Sequence, residues 1–145
     1  MATTYQLKIV TPERAVLTEP VVMIVVRSTE GEIGIMANHM RIVTPLVPHL
    51  MTIYREEGPT EQLTIGGGFL EVGTSQTVVL ADSAERASDI DVERAERAKQ
   101  RALERLATGG LADVDIKRAQ KALARAENRL KLVGRPGYTA STAAH

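Results

Sequence analysis

Two rows of cationic side chains are the first chemistry the sequence offers. Arg94, Arg97, Arg101 and Arg105 recur at intervals of three, four and four residues, and Arg118, Lys121, Arg125 and Arg129 repeat the same intervals. On a helix that spacing gathers each row onto one face. Guanidinium groups so arranged suit bidentate recognition of carboxylate or phosphate. The plain alternative is a solvated face with local pairs such as Glu93 and Arg97, but both rows hold more basic groups than acids. Nucleic acid fits poorly: the first part of the chain is acidic, and the aromatics are Tyr5, Tyr54, Phe69 and Tyr138, with no Trp to stack on bases.

Catalytic groupings are absent from the sequence. His39, His49 and His145 have no metal-ligand spacing, and no G-x-S-x-G elbow occurs. Gly66-Gly67-Gly68 is not followed by Lys-Ser/Thr and leads into a strand, so it reads as close backbone approach rather than a phosphate loop. With no cysteine there are no disulfides, thiolate metal sites or thiol nucleophiles. The expectation is a non-catalytic chain that needs neither metal nor cofactor.

The 145 residues carry 18 basic and 18 acidic groups, yet the balance hides two unlike parts. Met1 to Asp89 holds six basic and eleven acidic residues, a net of −5, while Ile90 to His145 holds twelve and seven, a net of +5. Opposite charges on two segments imply mutual attraction or different partners. A chain this long buries about two thirds of its unfolded surface, enough for a core without staples. No run approaches the ~18 apolar residues of a membrane span, and the first ten residues lack a signal-peptide pattern, so neither membrane insertion nor a cleaved leader is expected.

The same division appears in the periodicity. Up to about Asp82, short bursts rich in Val, Ile and Thr recur between turn residues: Tyr5 to Val10, Arg14 to Leu17, Val21 to Arg27, Ile33 to Met36, Arg41 to Leu46, Met51 to Arg55, Gln62 to Ile65, Phe69 to Val72 and Thr77 to Leu80. This rhythm predicts an antiparallel β-sandwich or barrel as the first domain, residues 1–87. Val21 to Val26 is apolar throughout and predicts a central strand covered on both faces. Pro12, Pro20, Pro45, Pro48 and Pro59 are expected at strand edges.

A helical hairpin is predicted over residues 88–133. Ser88 and Asp91 form an [ST]-x-x-[DE] capping signal for a helix to about Ala107, stopped by Gly109-Gly110, and Asp113 caps a second. The second helix presents Ile116, Ala119, Leu123, Ala126, Leu130 and Val133 at alternating intervals of three and four, against Ala95, Ala98, Ala102 and Leu106 of the first. Alanine buries little area, so this seam is weak and the hairpin must dock on the sandwich or on another protein. Residues 134–145, small and aperiodic, predict a disordered tail.

Several ordered motifs together resemble the epsilon subunit of bacterial and chloroplast F-type ATP synthases. They are Glu30-Gly-Glu-Ile-Gly-Ile-Met-Ala-Asn-His39, Gly67-Gly-Phe-Leu-Glu-Val72, Val79-Leu-Ala-Asp82 with Ala84, and Ile90-Asp91-Val-Glu-Arg94-Ala95. The resemblance runs from Tyr5 to about Val133 and implies the same α+β architecture, an antiparallel sandwich followed by a two-helix hairpin. It implies a rotor part of the central stalk with no catalytic site of its own, whose sandwich binds the gamma subunit and the ring of c subunits. Glu32 is carried over as a ring contact and His39 as lying near gamma. This chain has Met36-Ala37-Asn38 where family members often have Pro-Gly or Pro-Asn before the histidine.

In the family the hairpin folded on the sandwich permits turnover, and extended into the alpha/beta catalytic head it blocks ATP hydrolysis. The resemblance then implies that Arg97, Arg101, Arg105, Arg118 and Lys121 face acidic groups of that head. It also implies a regulatory ATP site in the compact form, since Ile90, Asp91, Arg94 and Ala95 match an Ile/Leu-Asp-x-x-Arg-Ala motif and Glu85, Arg125 and Arg129 fall at the remaining contacts. The expected location is the cytoplasmic face of the bacterial plasma membrane, peripherally, rather than the chloroplast thylakoid. A free-standing nucleotide-sensing module stays open as the alternative.

Overall fold

The computed structural model describes residues 3–134; the tail expected beyond Gly134, with His145, lies outside them. Eight strands are followed by two helices: β1 (Tyr5–Val10), β2 (Ala15–Val21), β3 (Met23–Ser28), β4 (Gly31–Met36), β5 (Ile42–Tyr54), β6 (Glu61–Val72), β7 (Gln76–Ala81), β8 (Ala84–Glu85), α1 (Val92–Thr108) and α2 (Asp113–Gly134). The strand order is β2-β1-β7-β6-β5-β3-β4, with β8 beside β6. All pairings are antiparallel except β1 with β7. Strands far apart in that order meet across the core, where the Tyr5 hydroxyl of β1 donates to Ile35 O of β4 at 2.6 Å.

Alternation places the core. Leu7 and Ile9 of β1, Met51 and Ile53 of β5, Leu63 and Ile65 of β6 and Val79 of β7 point inward and are buried, as period-two patterning requires. The long strands β5 and β6 each join two expected strands. Pro45 and Pro48 lie inside β5 rather than at an edge, opposite Phe69 and Gly66 of β6. They are tolerated because the ladder to β3 is irregular between Val25 and Ser28, so the missing N–H groups fall beside a break. Pro20 also lies within a strand, but β2 is an edge.

The glycine run carries β6 through its middle. A Cβ on Gly68 would collide with Leu80 O of β7, and one on Gly66 with the Ser83 side chain, so close approach is what these residues supply. The continuous central strand expected at Val21 to Val26 does not form. Val21 ends β2, the chain bends at Val22, and β3 alternates, with Ile24 and Val26 buried but Met23 and Val25 only half-buried.

The first helix begins later than expected. Ser88 belongs to a 3₁₀ turn, Ala87–Asp89, in which Asp89 Oδ2 accepts from Arg86 N at 3.1 Å. Asp91 is the residue that caps α1, accepting from Arg94 N at 3.1 Å. Asp113 is the first helical residue of α2 rather than its cap, because Ala112 O accepts from Asp115 N and Ile116 N. There, with Asp115, it favours the positive helix end. The seam buries Ala95 and Ala102 against Ala119 and Ala126, while Leu123, Leu130 and Val133 are half-buried. Leu132, outside the expected seam, is fully buried, and α2 is the helix that rests on β5 and β6.

Candidate functional site: a cleft between sandwich and hairpin

Local capping and strand pairing bring the cleft together. β8 pairs with β6 and positions Glu85, whose Oε1 accepts from Arg129 Nε of α2 at 2.5 Å and from Thr64 Oγ1 at 3.3 Å. The 3₁₀ turn carries Asp89, and the α1 cap carries Asp91. Glu85, Asp89, Asp91, Arg94, Ala95 and Arg129 line one cleft of about 190 Å³. Five of the seven residues expected around a nucleotide therefore converge. Arg125 stands one turn along α2, its Nε donating to Gly66 O at 3.0 Å in the adjoining seam with Asn128. Ile90 is half-buried between turn and helix.

Charge decides what the cleft can take. Three carboxylates face two guanidinium groups, and one of those, Arg129, is already bonded to Glu85. An anion entering here would exchange an internal pair for an external one. The volume is also below the roughly 300–1,000 Å³ usual for small-molecule pockets, so a nucleotide requires the helices to shift. Asp89 is the lining residue that the sequence reading passed over; its signal is the three-residue spacing from Arg86, whose backbone it caps.

The basic rows divide along the hairpin. Arg101, Arg105 and Arg118 line a groove of about 460 Å³ floored by Ala98, Ala102, Ala119 and Ala122. Arg97 lies 4.0 Å from Glu93 and Arg118 3.7 Å from Asp115, both exposed pairs of small energetic weight. Lys121 is exposed. Arg125 and Arg129, at the other end of the second row, turn onto the sandwich.

At the β4–β5 end, Glu32 is exposed and pairs across the strands with Arg27 at 3.7 Å. His39 Nδ1 lies 2.8 Å from Met40 O, to which it donates when protonated there. Asn38 adopts φ 66°, a left-handed conformation that asparagine accepts at low cost, so the turn forms without the family's glycine. Met36, Met40 and Val43 are exposed beside it, and further along β5 to β7 a cross-strand row runs Pro45, Phe69, Leu80, with Phe69 and Leu80 about half exposed. This apolar face was not singled out in the sequence, because it alternates with the core positions as any strand does.

Two family models match the chain in succession: the β-sandwich domain of the ATP synthase delta/epsilon chain over residues 4–87, and its long α-helix domain over residues 88–134. The chain belongs to the ATP synthase delta/epsilon family. Relatives agree. It is 50% identical over 107 residues to the ATP synthase epsilon chain of Carboxydothermus hydrogenoformans, covering 74% of this chain and 79% of that one. It is 48% identical over 104 residues to that of Pelotomaculum thermopropionicum, covering 72% and 77%. A chain in the cryo-EM structure of the Euglena gracilis mitochondrial ATP synthase, comprising OSCP, F1 and c-ring, superposes with a TM-score of 0.74 at 26% identity, covering 93% of this chain and 84% of that one. As an epsilon-type chain it has, among the described residues, no cluster of metal-ligating side chains and no helix long and apolar enough to cross a membrane.

Proposed function

We propose that this chain is a non-catalytic central-stalk subunit of a proton-translocating F-type ATP synthase. In this reading its sandwich docks on the gamma subunit and the c ring and so couples ring rotation to ATP synthesis. It sits peripherally at the cytoplasmic face of the bacterial plasma membrane, held there by its partners. The hairpin inhibits ATP hydrolysis when it extends into the alpha/beta head. The observation that carries this reading is the contrast between a sandwich with its own large core and a basic hairpin packed on alanines.

Each surface has an assignment. The exposed row of Val43, Pro45, Phe69 and Leu80 is the gamma-facing side, with His39 near its margin and Glu32 toward the ring. The groove lined by Arg101, Arg105 and Arg118 meets acidic groups of the head, with Arg97 and Lys121 flanking it. ATP favours the compact form by binding at Asp91, Arg94 and Arg129, with Arg125 adding a fourth contact. At about 100 times its dissociation constant it would favour that form by about 2.7 kcal/mol.

Two measurements test the reading. The isolated chain mixed with gamma elutes as a complex, and calorimetry with ATP gives binding heat that Arg94→Ala abolishes. A chain that stays monomeric beside gamma yet binds ATP tightly is instead the free-standing nucleotide sensor. No heat with ATP removes the regulatory ligand and leaves the stalk role standing.

A further inference from the structure

The β4–β5 end of the sandwich holds a second kind of chemistry. Four methionines fall among the described residues, and the fold sorts them by access. Met51 is fully buried in the core and Met23 is half-buried on β3, whereas Met36 is 58% exposed and Met40 77% exposed. The two exposed thioethers flank one tight turn. Asn38 in that turn has φ 66°, His39 N donates to Met36 O at 3.3 Å, and His39 Nδ1 lies 2.8 Å from Met40 O. The Tyr5 hydroxyl fixes Ile35 O just upstream, so the end of β4 is anchored as well. The backbone therefore holds both side chains at the surface.

A thioether is an apolar group that can become polar without being replaced. Its sulfur takes the distal oxygen of a hydroperoxide: an S–O bond forms, the O–O bond breaks, sulfur loses two electrons, and the peroxide leaves as an alcohol or water. Thiol-dependent reductases remove that oxygen as water at the expense of two thiols, so the change is reversible. The chain has no cysteine and no tryptophan, which leaves thioethers as its most readily oxidised side chains. Their surroundings make the change matter. Val43 is 69% exposed close by in sequence, and the row continues through Phe69 and Leu80, none of which peroxide alters. Flexible methionines fit such an apolar face closely, whereas a buried sulfoxide oxygen needs a hydrogen-bond donor that valine, phenylalanine and leucine do not offer.

We propose that Met36 and Met40 form an oxidation-sensitive site on the docking face, modified by hydroperoxides in the unassembled chain, and that their sulfoxides weaken docking on gamma. The proposal rests on the assignment of this face to gamma. A docked chain has the pair covered and is protected; a free chain is not. Oxidation thus sorts chains before assembly, and reduction returns them.

Peptide mapping and binding measurements on the full chain test both halves. Cleavage after arginine places the methionines in separate peptides, Met23 in residues 15–27, Met36 and Met40 in 28–41 and Met51 in 42–55. With dilute hydrogen peroxide, Met36 and Met40 should gain oxygen severalfold faster than Met51, and added gamma should slow both. The oxidised chain should bind gamma roughly tenfold more weakly, the cost of burying one unpaired polar group. A sulfoxide reductase with thiol should restore the affinity. The double variant Met36→Leu/Met40→Leu, a volume-conserving change at exposed positions, should bind as the parent does and lose nothing on peroxide treatment. Equal oxidation rates at Met40 and Met51, undiminished affinity after oxidation, or the same loss in the double variant would each overturn the proposal. An untreated chain that does not bind gamma is a different result: it removes the stalk reading, and the docking half of the proposal with it.

Discussion

Seventeen buried apolar residues form one cluster inside the sandwich, all but two of them Leu, Ile, Val or Met, whereas the described hairpin buries four alanines and Leu132. A fully buried Leu or Ile contributes about 1.5–3 kcal/mol and a methyl group about 0.8 kcal/mol. By that measure the sandwich is self-sufficient and the hairpin is not. The sandwich also joins its strands through continuous backbone ladders, while the side-chain hydrogen bonds from α2 to it come from two arginines. Stability is therefore concentrated in the sandwich, and the weakly held part carries the positive charge.

The largest test of that contrast is in the cores. Leu63→Ala should cost the sandwich about 2–5 kcal/mol in denaturant unfolding, with the cavity it leaves, while Ala126→Gly should cost about 1 kcal/mol and act on the hairpin alone. Equal losses, or a single transition shifted alike by both, would mean one cooperative unit. On the outer face, Phe69→Asp should weaken binding to gamma by roughly thirtyfold, as removal of a central apolar anchor does, and leave the melting temperature of the sandwich almost unchanged. Undiminished affinity would move the docking face elsewhere.

A smaller, sharper effect belongs to His49 in the sandwich core. Its Nδ1 donates to Val47 O at 2.6 Å, and its Nε2 is buried without a partner. Burial holds its pKa below the ordinary 6.5, with Arg27 adding to that and the Val47 bond and Glu32 opposing it. The unfolded chain then takes up the proton first, so stability is full above about pH 6.5 and falls as pH drops through the lower folded value. The slope for one proton is at most about 1.4 kcal/mol per pH unit. His49→Gln should flatten that limb in chemical denaturation between pH 7 and 5; an unchanged slope would assign it to other groups.

Legibility followed the same division. Period-two alternation located the core strands because burial on one face is a local rule, and Tyr5–Val10 has the expected bounds. Length was less visible. Prolines and glycines in β5 and β6 read as strand ends, and only the pairing partners show that the ladder tolerates them there. The 3₁₀ turn displaced the first cap from Ser88 to Asp91, since Asp89 serves Arg86 and leaves Asp91 for Arg94. Leu132 lay off the heptad seam because α2 has a second neighbour, the sheet, that a two-helix pattern does not encode. Of the candidate site, Glu85, Asp91, Arg94, Ala95 and Arg129 were legible through family spacing alone. That Arg129 is bonded to Glu85, and Arg125 to a strand carbonyl, follows from tertiary packing.

The division of labour between the two parts is tested most directly by ATP hydrolysis in a synthase reassembled with either the full chain or a chain ending at Ser88. The shortened chain should join the complex and sustain synthesis, while hydrolysis rises above that of the complex with the full chain. Equal hydrolysis rates in the two complexes would contradict a regulatory hairpin.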